Sequence, residues 1–188
     1  MRKLIVKTVA ITLSLMVGAF AIIYFIFSAF LPSSLASLYF RVNQENLSVK
    51  YSVKAYEKSG NVSDLATLTE RVIVFGNDSL TVTYATMLIN DDEYGQVLQS
   101  KSQGYNYYIV GSLVEALYAS GSKTQAVEVA MQNTSTLSSG NPIEVILVCA
   151  FDASDIETAN LIKEKLALKE PSEKINSYLT AINDFINN

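Results

Sequence analysis

Hydrophobic and polar positions divide this chain into one long apolar run and a series of short periodic segments. No charge lies between Lys7 and Arg41, and residues 8–31 (TVAITLSLMVGAFAIIYFIFSAFL) are almost wholly apolar rather than apolar along one stripe. A helix of that length reaches about 36 Å, enough to cross a hydrocarbon core about 30 Å thick. Pro32 follows at once and biases the residue before it away from helix, which predicts a break there.

Beyond the run the pattern takes a helical period. Leu35, Leu38, Tyr39 and Val42 open a helix whose spacing continues through Tyr51, Ala55 and Tyr56, so the reading is one long helix ending at Gly60-Asn61. Asn61 or Ser63 can cap the next, which buries Leu65, Leu68, Val72 and Phe75 and closes at Gly76. Asn77 or Asp78 starts a segment with Leu80, Tyr84, Met87 and Leu88 on one side. Its Thr and Val content also suits a strand, and helix is the preferred reading of residues 78–90. An acidic turn, Asp91-Asp92-Glu93, leads to Tyr94, Val97 and Leu98, and a polar stretch at residues 100–104 precedes a helix with Ile109, Leu113, Leu117 and Tyr118 on one face. Ser122 with Gln125 forms a capping-box pattern before a helix at residues 123–132. Asn141-Pro142-Ile143-Glu144 is a helix start, without which residues 143–151 (IEVILVCAF) would read as a strand. Ser154 with Glu157 forms a second capping box, before Ile156, Ala159, Ile162 and Leu166. Pro171 opens the last helix, with Ile175, Tyr178, Leu179, Ile182 and Ile186 inward.

The expected fold is therefore all-α: one N-terminal transmembrane helix, then short antiparallel helical hairpins. In SLVEALYASGSKTQAVEVAMQ, Leu113, Gly121, Ala126 and Ala130 fall near the small and apolar positions of a helical-hairpin repeat. Tyr56, Gly60 and Leu65 of SVKAYEKSGNVSDLATLTERV echo them. These two segments resemble tetratricopeptide-like units, although the 61-residue offset between the glycines is not a multiple of that repeat. The resemblance implies a stacked-helix scaffold that binds protein, and it identifies no ligand.

Charge supplies orientation. Arg2, Lys3 and Lys7 precede the apolar run with no acid to offset them, which places the N-terminus in the cytoplasm and the remainder outside. Residues 1–32 then form a cytoplasmic stub and anchor that meets membrane lipid through residues 8–31, and residues 33–188 an extracytoplasmic domain. A cleaved signal peptide is the rival, since Ser34-Leu35-Ala36 and Ala19-Phe20-Ala21 have suitable small residues. The run is much longer than a signal core of about 7–15 residues, so a retained single-pass signal-anchor is expected. Residues 33–188 hold 11 basic and 18 acidic residues, a net charge of −7 that disfavours nucleic acid and phospholipid surfaces as partners. The single cysteine, Cys149, permits no internal disulfide and reads as a small buried apolar residue. A disulfide-free domain outside a membrane suits a bacterial, above all a Gram-positive, envelope. Asn-x-Ser sequons at Asn46, Asn61, Asn77 and Asn133 read as incidental spacing in so Asn- and Ser-rich a chain.

Few chemistries remain. The chain has no histidine, which removes Ser–His and Cys–His nucleophiles and leaves zinc without ligands. The acidic clusters Asp91, Asp92, Glu93 and Asp152, Asp155, Glu157 lack the pattern of a calcium loop, and no metal or cofactor is expected. Tyrosine is the one surplus: Tyr105, Tyr107 and Tyr108, with Tyr94 and Tyr118 near in sequence, can line a recognition surface. The blander alternative puts Tyr108 and Tyr118 in the core and the others over loop ends. The expected role is a membrane-anchored scaffold or adaptor, not an enzyme, with another envelope protein as partner. The alternatives are a surface receptor for a small ligand or cell-wall glycan, and a carboxylate-based hydrolase.

Overall fold

The computed structural model describes residues 2–133 and 141–187, and eleven helices lie among them with no strand. Of the segments that competed as strands, 78–90 is helical to Ile89 with Asn90 as its cap, and 143–151 is helical throughout. The chain divides into two compact units, residues 1–64 and 65–188.

The first unit holds α1 (Arg2–Phe30), α2 (Pro32–Arg41) and α3 (Glu45–Ser59). Within α1 the stretch Lys7–Phe30 is long and apolar enough to cross a membrane, and none of its most apolar window is buried by the protein. The break before Pro32 falls where expected, at Leu31. The long helix expected from Leu35 through Tyr56 is instead two helices, because Asn43 turns left-handed at φ 54°. The Gln44 amide then donates to the Tyr39 carbonyl at 2.8 Å and closes α2 as a glycine would. Asparagine tolerates that conformation, so no glycine marks the turn. The hairpin of α2 and α3 buries Leu35, Ala36 and Tyr51, flanked by Tyr39 and Leu47. Tyr39 stacks on Tyr51 with ring centroids 5.6 Å apart, and Ser48 Oγ donates to the Ala36 carbonyl. Gly60, left-handed at φ 62°, ends α3 as expected.

The division between the units falls in the first turn of α4 (Val62–Val74). The second unit continues with α5 (Asp78–Ile89), α6 (Tyr94–Ser100), α7 (Tyr105–Ala119), α8 (Lys123–Gln132), α9 (Pro142–Asp152), α10 (Ile156–Ala167) and α11 (Glu173–Asn187). The central helix is α7, which packs on α5, α8 and α9 and buries Ile109, Val110, Leu113, Val114 and Leu117. Gly111 faces α9, where a Cβ would stand in ordinary contact with Val145 Cγ2 at 3.4 Å. Further out, α10 packs on α8, α9 and α11.

Local chemistry sets the boundaries, with several corrections to the sequence reading. Asn61 Oδ1 accepts from the Ser63 amide, and Asn77 caps α5 through the Leu80 amide. Asn141, fully buried, accepts from the amides of Ile143 and Glu144 at the start of α9. At α8 the expected cap residue, Ser122, is in place, but its side chain makes no capping bond. The second capping box is displaced by one residue. Asp155, not Ser154, caps α10, because Ser154 turns left-handed at φ 52° to close α9. The last helix starts at Glu173 rather than Pro171, and the Ser172 hydroxyl accepts from the Ile175 amide. In α5 the buried face is Thr81, Ala85 and Leu88, one position round from the expected Leu80, Tyr84 and Met87, and Met87 is exposed. Ile156 is exposed as well, while Ala159, Ile162 and Leu166 are buried as expected. Cys149 is half-buried rather than buried, and burial followed by the nearby Glu115 and Asp152 charges pushes its thiol up, away from reactive thiolate.

Candidate functional site

The sequence singled out the tyrosines around the start of α7, and the structure gathers most of them at α4, α6 and α7 of the second unit. Tyr94, first residue of α6, is buried, and its hydroxyl donates to Asn106 Oδ1 at 3.0 Å. Tyr105, first residue of α7, is also buried, and its ring lies 6.4 Å from that of Tyr108. Above the Tyr105 ring, at 5.1 Å, sits the Lys101 ammonium, which pairs with Glu70 Oε1 of α4 at 2.7 Å. The polar stretch between α6 and α7 thus places a cation on an aromatic face and an acid beside the cation.

The blander expectation for these rings is inverted at α7. Tyr108 is 42 % exposed, whereas Tyr105 is the core residue. Tyr118 and Tyr107 are each half-buried. Position along α7 is the reason. Tyr105 shares the inward face with Ile109, Gly111 is inward by close packing, and Tyr108 falls on the outer side with Glu115.

The electrostatics follow burial. Tyr94 is pushed up to about 12 by burial alone. Burial, then the neighbouring Glu70 carboxylate, pushes Tyr105 far above the usual phenol range, and the same two causes raise Tyr108. The Tyr105 hydroxyl is the one buried side-chain polar atom without a hydrogen-bond partner among the described residues. The Tyr94, Tyr105 and Tyr108 phenols therefore stay protonated at neutral pH. The cluster offers hydroxyl donors, aromatic faces and one ion pair.

A second surface lies between α8 and α10. An open groove of about 570 Å³ is lined by Lys123, Thr124, Glu157, Asn160, Leu161 and Glu164, among others. Beside it Asp155 is tightly held. Lys123 Nζ lies 2.6 Å from Asp155 Oδ2, the Tyr118 hydroxyl donates to the same oxygen at 2.9 Å, and Thr158 donates through both its amide and its hydroxyl. Burial raises the Asp155 pKa, but the Lys123 contact and the Thr158 and Tyr118 hydrogen bonds outweigh it and hold the carboxyl well below the usual range. Sequence reasoning grouped Asp155 with Asp152 and Glu157 as a possible cation cluster, and missed its link to Tyr118 and Lys123 because those lie across a helix hairpin. Among the described residues no three acidic or thiol side chains converge as a metal site. Asp91 instead closes a turn by accepting from the Glu93 amide at 2.9 Å.

No protein-family model, curated protein or solved structure matches this chain.

Proposed function

We propose that this protein is a membrane-anchored helical scaffold or adaptor that binds another protein at the cell envelope. In this reading α1 is retained as the anchor. Its N-terminus lies in the cytoplasm by the bias of Arg2, Lys3 and Lys7, and the α2–α11 portion lies outside. The apolar, uncovered Lys7–Phe30 stretch supports the anchor, and the tetratricopeptide-like segments around Gly60 and Gly121 support a protein-binding scaffold. A bacterial, Gram-positive envelope fits the absence of a possible internal disulfide.

The observation that carries the binding role is the exposed ring of Tyr108, mounted on the first turn of a rigid central helix beside Tyr107, Lys101 and Glu70. Aromatic side chains on a rigid frame give large contact area at little entropic cost, and such residues dominate interface energetics. Changing Tyr107 and Tyr108 together to Ala in the full-length chain tests this. A partner that co-purifies from native membranes should be recovered more weakly by about 1–3 kcal/mol, with the melting temperature nearly unchanged. Intact recovery would reject the patch. Tyr105 is left alone because it is buried, and its loss would confound folding with binding.

The groove between α8 and α10 favours a second reading, a receptor for a small polar ligand such as a glycan fragment. Its Lys123, Thr124, Asn160 and Glu164 side chains suit hydroxyl-rich molecules. Saturation-transfer NMR with soluble cell-wall fragments distinguishes the readings, since only the receptor gives a signal lost in Asn160→Ala.

A further inference from the structure

Two carboxylates and one ammonium line the groove between α8 and α10, and the ammonium is already committed. Lys123 Nζ is 2.6 Å from Asp155 Oδ2 and lies over the Tyr118 ring, 5.4 Å from its centroid. Glu157 and Glu164 are exposed, and neither has a hydrogen-bond or ion-pair partner among the described residues. The neighbouring cations of α10, Lys163 and Lys165, lie on other sides of the helix and do not line the groove. The surrounding unit is itself acidic, with seven basic and fifteen acidic side chains in residues 65–188. The groove is thus a concavity with two uncompensated carboxylates in a negative field, and the ligand it favours carries positive charge.

The arrangement of the lining narrows the ligand further. Glu157 and Glu164 fall on one side of α10, two turns apart, with their backbone positions about 10 Å apart along the helix. Asn160 and Leu161 lie between them, the first exposed and the second half-buried, and Thr124 faces them from α8. A carboxamide offers an acceptor and two donors, which matches the carbonyl and amide of a peptide unit. Leu161 gives apolar support to the aliphatic stem of a lysine or arginine. A polyproline II segment advances about 3.1 Å per residue and returns to the same side every third residue, so side chains three apart stand about 9 Å apart. That spacing serves both carboxylates at once. A neutral glycan supplies hydroxyls but charge to neither.

We propose that the groove between α8 and α10 binds an extended basic segment of a partner protein. Two lysine or arginine side chains, three residues apart, pair with Glu157 and Glu164, and Asn160 holds a peptide unit between them. The proposal rests on the groove being a recognition site, as in the second reading above, and assigns it a cationic peptide in place of a glycan.

The test uses the isotope-labelled full chain in uncharged detergent micelles, titrated with the peptide acetyl-Ser-Lys-Pro-Pro-Lys-Ser-amide and followed by amide NMR. The amides of Thr124, Asn160 and Leu161 should shift saturably, and the affinity should fall several-fold as salt is raised above physiological ionic strength. The same peptide with glutamine for both lysines should leave those amides in place. Glu157→Gln with Glu164→Gln should weaken binding by at least about five-fold, with the melting temperature nearly unchanged. Asp92→Asn with Glu93→Gln removes as much charge from the same unit outside the groove, and should weaken binding by less than about two-fold. Equal weakening by the two pairs would show diffuse attraction to an acidic surface and overturn the proposal. Soluble cell-wall fragments are titrated in parallel. Shifts with the fragments and none with the lysine peptide overturn the cationic ligand and leave the receptor reading standing. No shift with either probe overturns both.

Discussion

Residues 1–64 carry seven basic and three acidic side chains, whereas residues 65–188 carry seven basic and fifteen acidic. The whole-chain charge of −4 is thus the sum of a basic unit at +4 and an acidic unit at −8. Burial differs in the same way. The first unit closes around one small cluster of Leu35, Ala36 and Tyr51 and leaves α1 uncovered. The second buries five apolar side chains of α7 itself, Ile109, Val110, Leu113, Val114 and Leu117. One unit has the charge and the exposed apolar surface that suit a bilayer, and the other gathers its apolar side chains into a buried core. A composition averaged over the chain conceals both.

The comparison breaks most visibly through the two cores. Leu113→Ala removes a side chain that is 1 % exposed at the centre of the second unit and should cost about 2–5 kcal/mol there. Leu35→Ala in the smaller cluster should fall at the lower end, about 2 kcal/mol. Hydrogen exchange on the full chain in detergent should assign each loss to its own unit. A loss of protection shared equally between α3 and α7 would show that the units do not unfold separately.

Next in size is the charge network of the acidic unit. Asp155→Ala removes the cap of α10 and strands Lys123, and should lower stability by about 1–3 kcal/mol. The pH dependence has a defined sign. The Asp155 carboxyl is depressed in the folded state, so its contribution is complete above the ordinary aspartate pKa of about 3.9. It is lost as pH falls below that value toward the folded pKa. Acid titration of the melting temperature should therefore be shallower in Asp155→Asn than in the parent at pH below about 4.

The left-handed turns provide a finer matched pair. Ser154→Gly should stabilise the second unit by about 0.5–1 kcal/mol, and Asn43→Gly should change the first by less, since asparagine already tolerates that backbone. Thermal melts of the two variants check the order. The smallest expected effect is that of a chelator. Asp155 is bound by Lys123 and Thr158, and Asp91 holds its own turn, so EDTA should leave the melting temperature unchanged.

These turns also explain where the fold was legible. Gly60, Gly76 and Gly121 announce helix ends because they take left-handed φ of 62°, 68° and 85°. Asn43 and Ser154 do the same work without a glycine, so α2 and α3 read as one helix and the cap of α10 was assigned one residue early. The apolar run, the Asn141–Pro142 start and the inward face of α7 through Ile109, Leu113 and Leu117 follow from pattern alone, since each is a local matter. The site was legible only as a surplus of tyrosine. The ion pair beside the rings joins Lys101 to Glu70 across 31 residues, and sequence spacing carries no trace of that meeting.

The junction between α1 and α2 is a coupling without slack. Leu31 alone separates the end of α1 from Pro32, and the Lys58 ammonium is latched onto the last carbonyls of α1. A flexible link would let α1 spin freely relative to the helices that follow. Here a turn of α1 about its own axis becomes torque on the α2–α3 hairpin, so a change in its angle is passed on as rotation rather than absorbed.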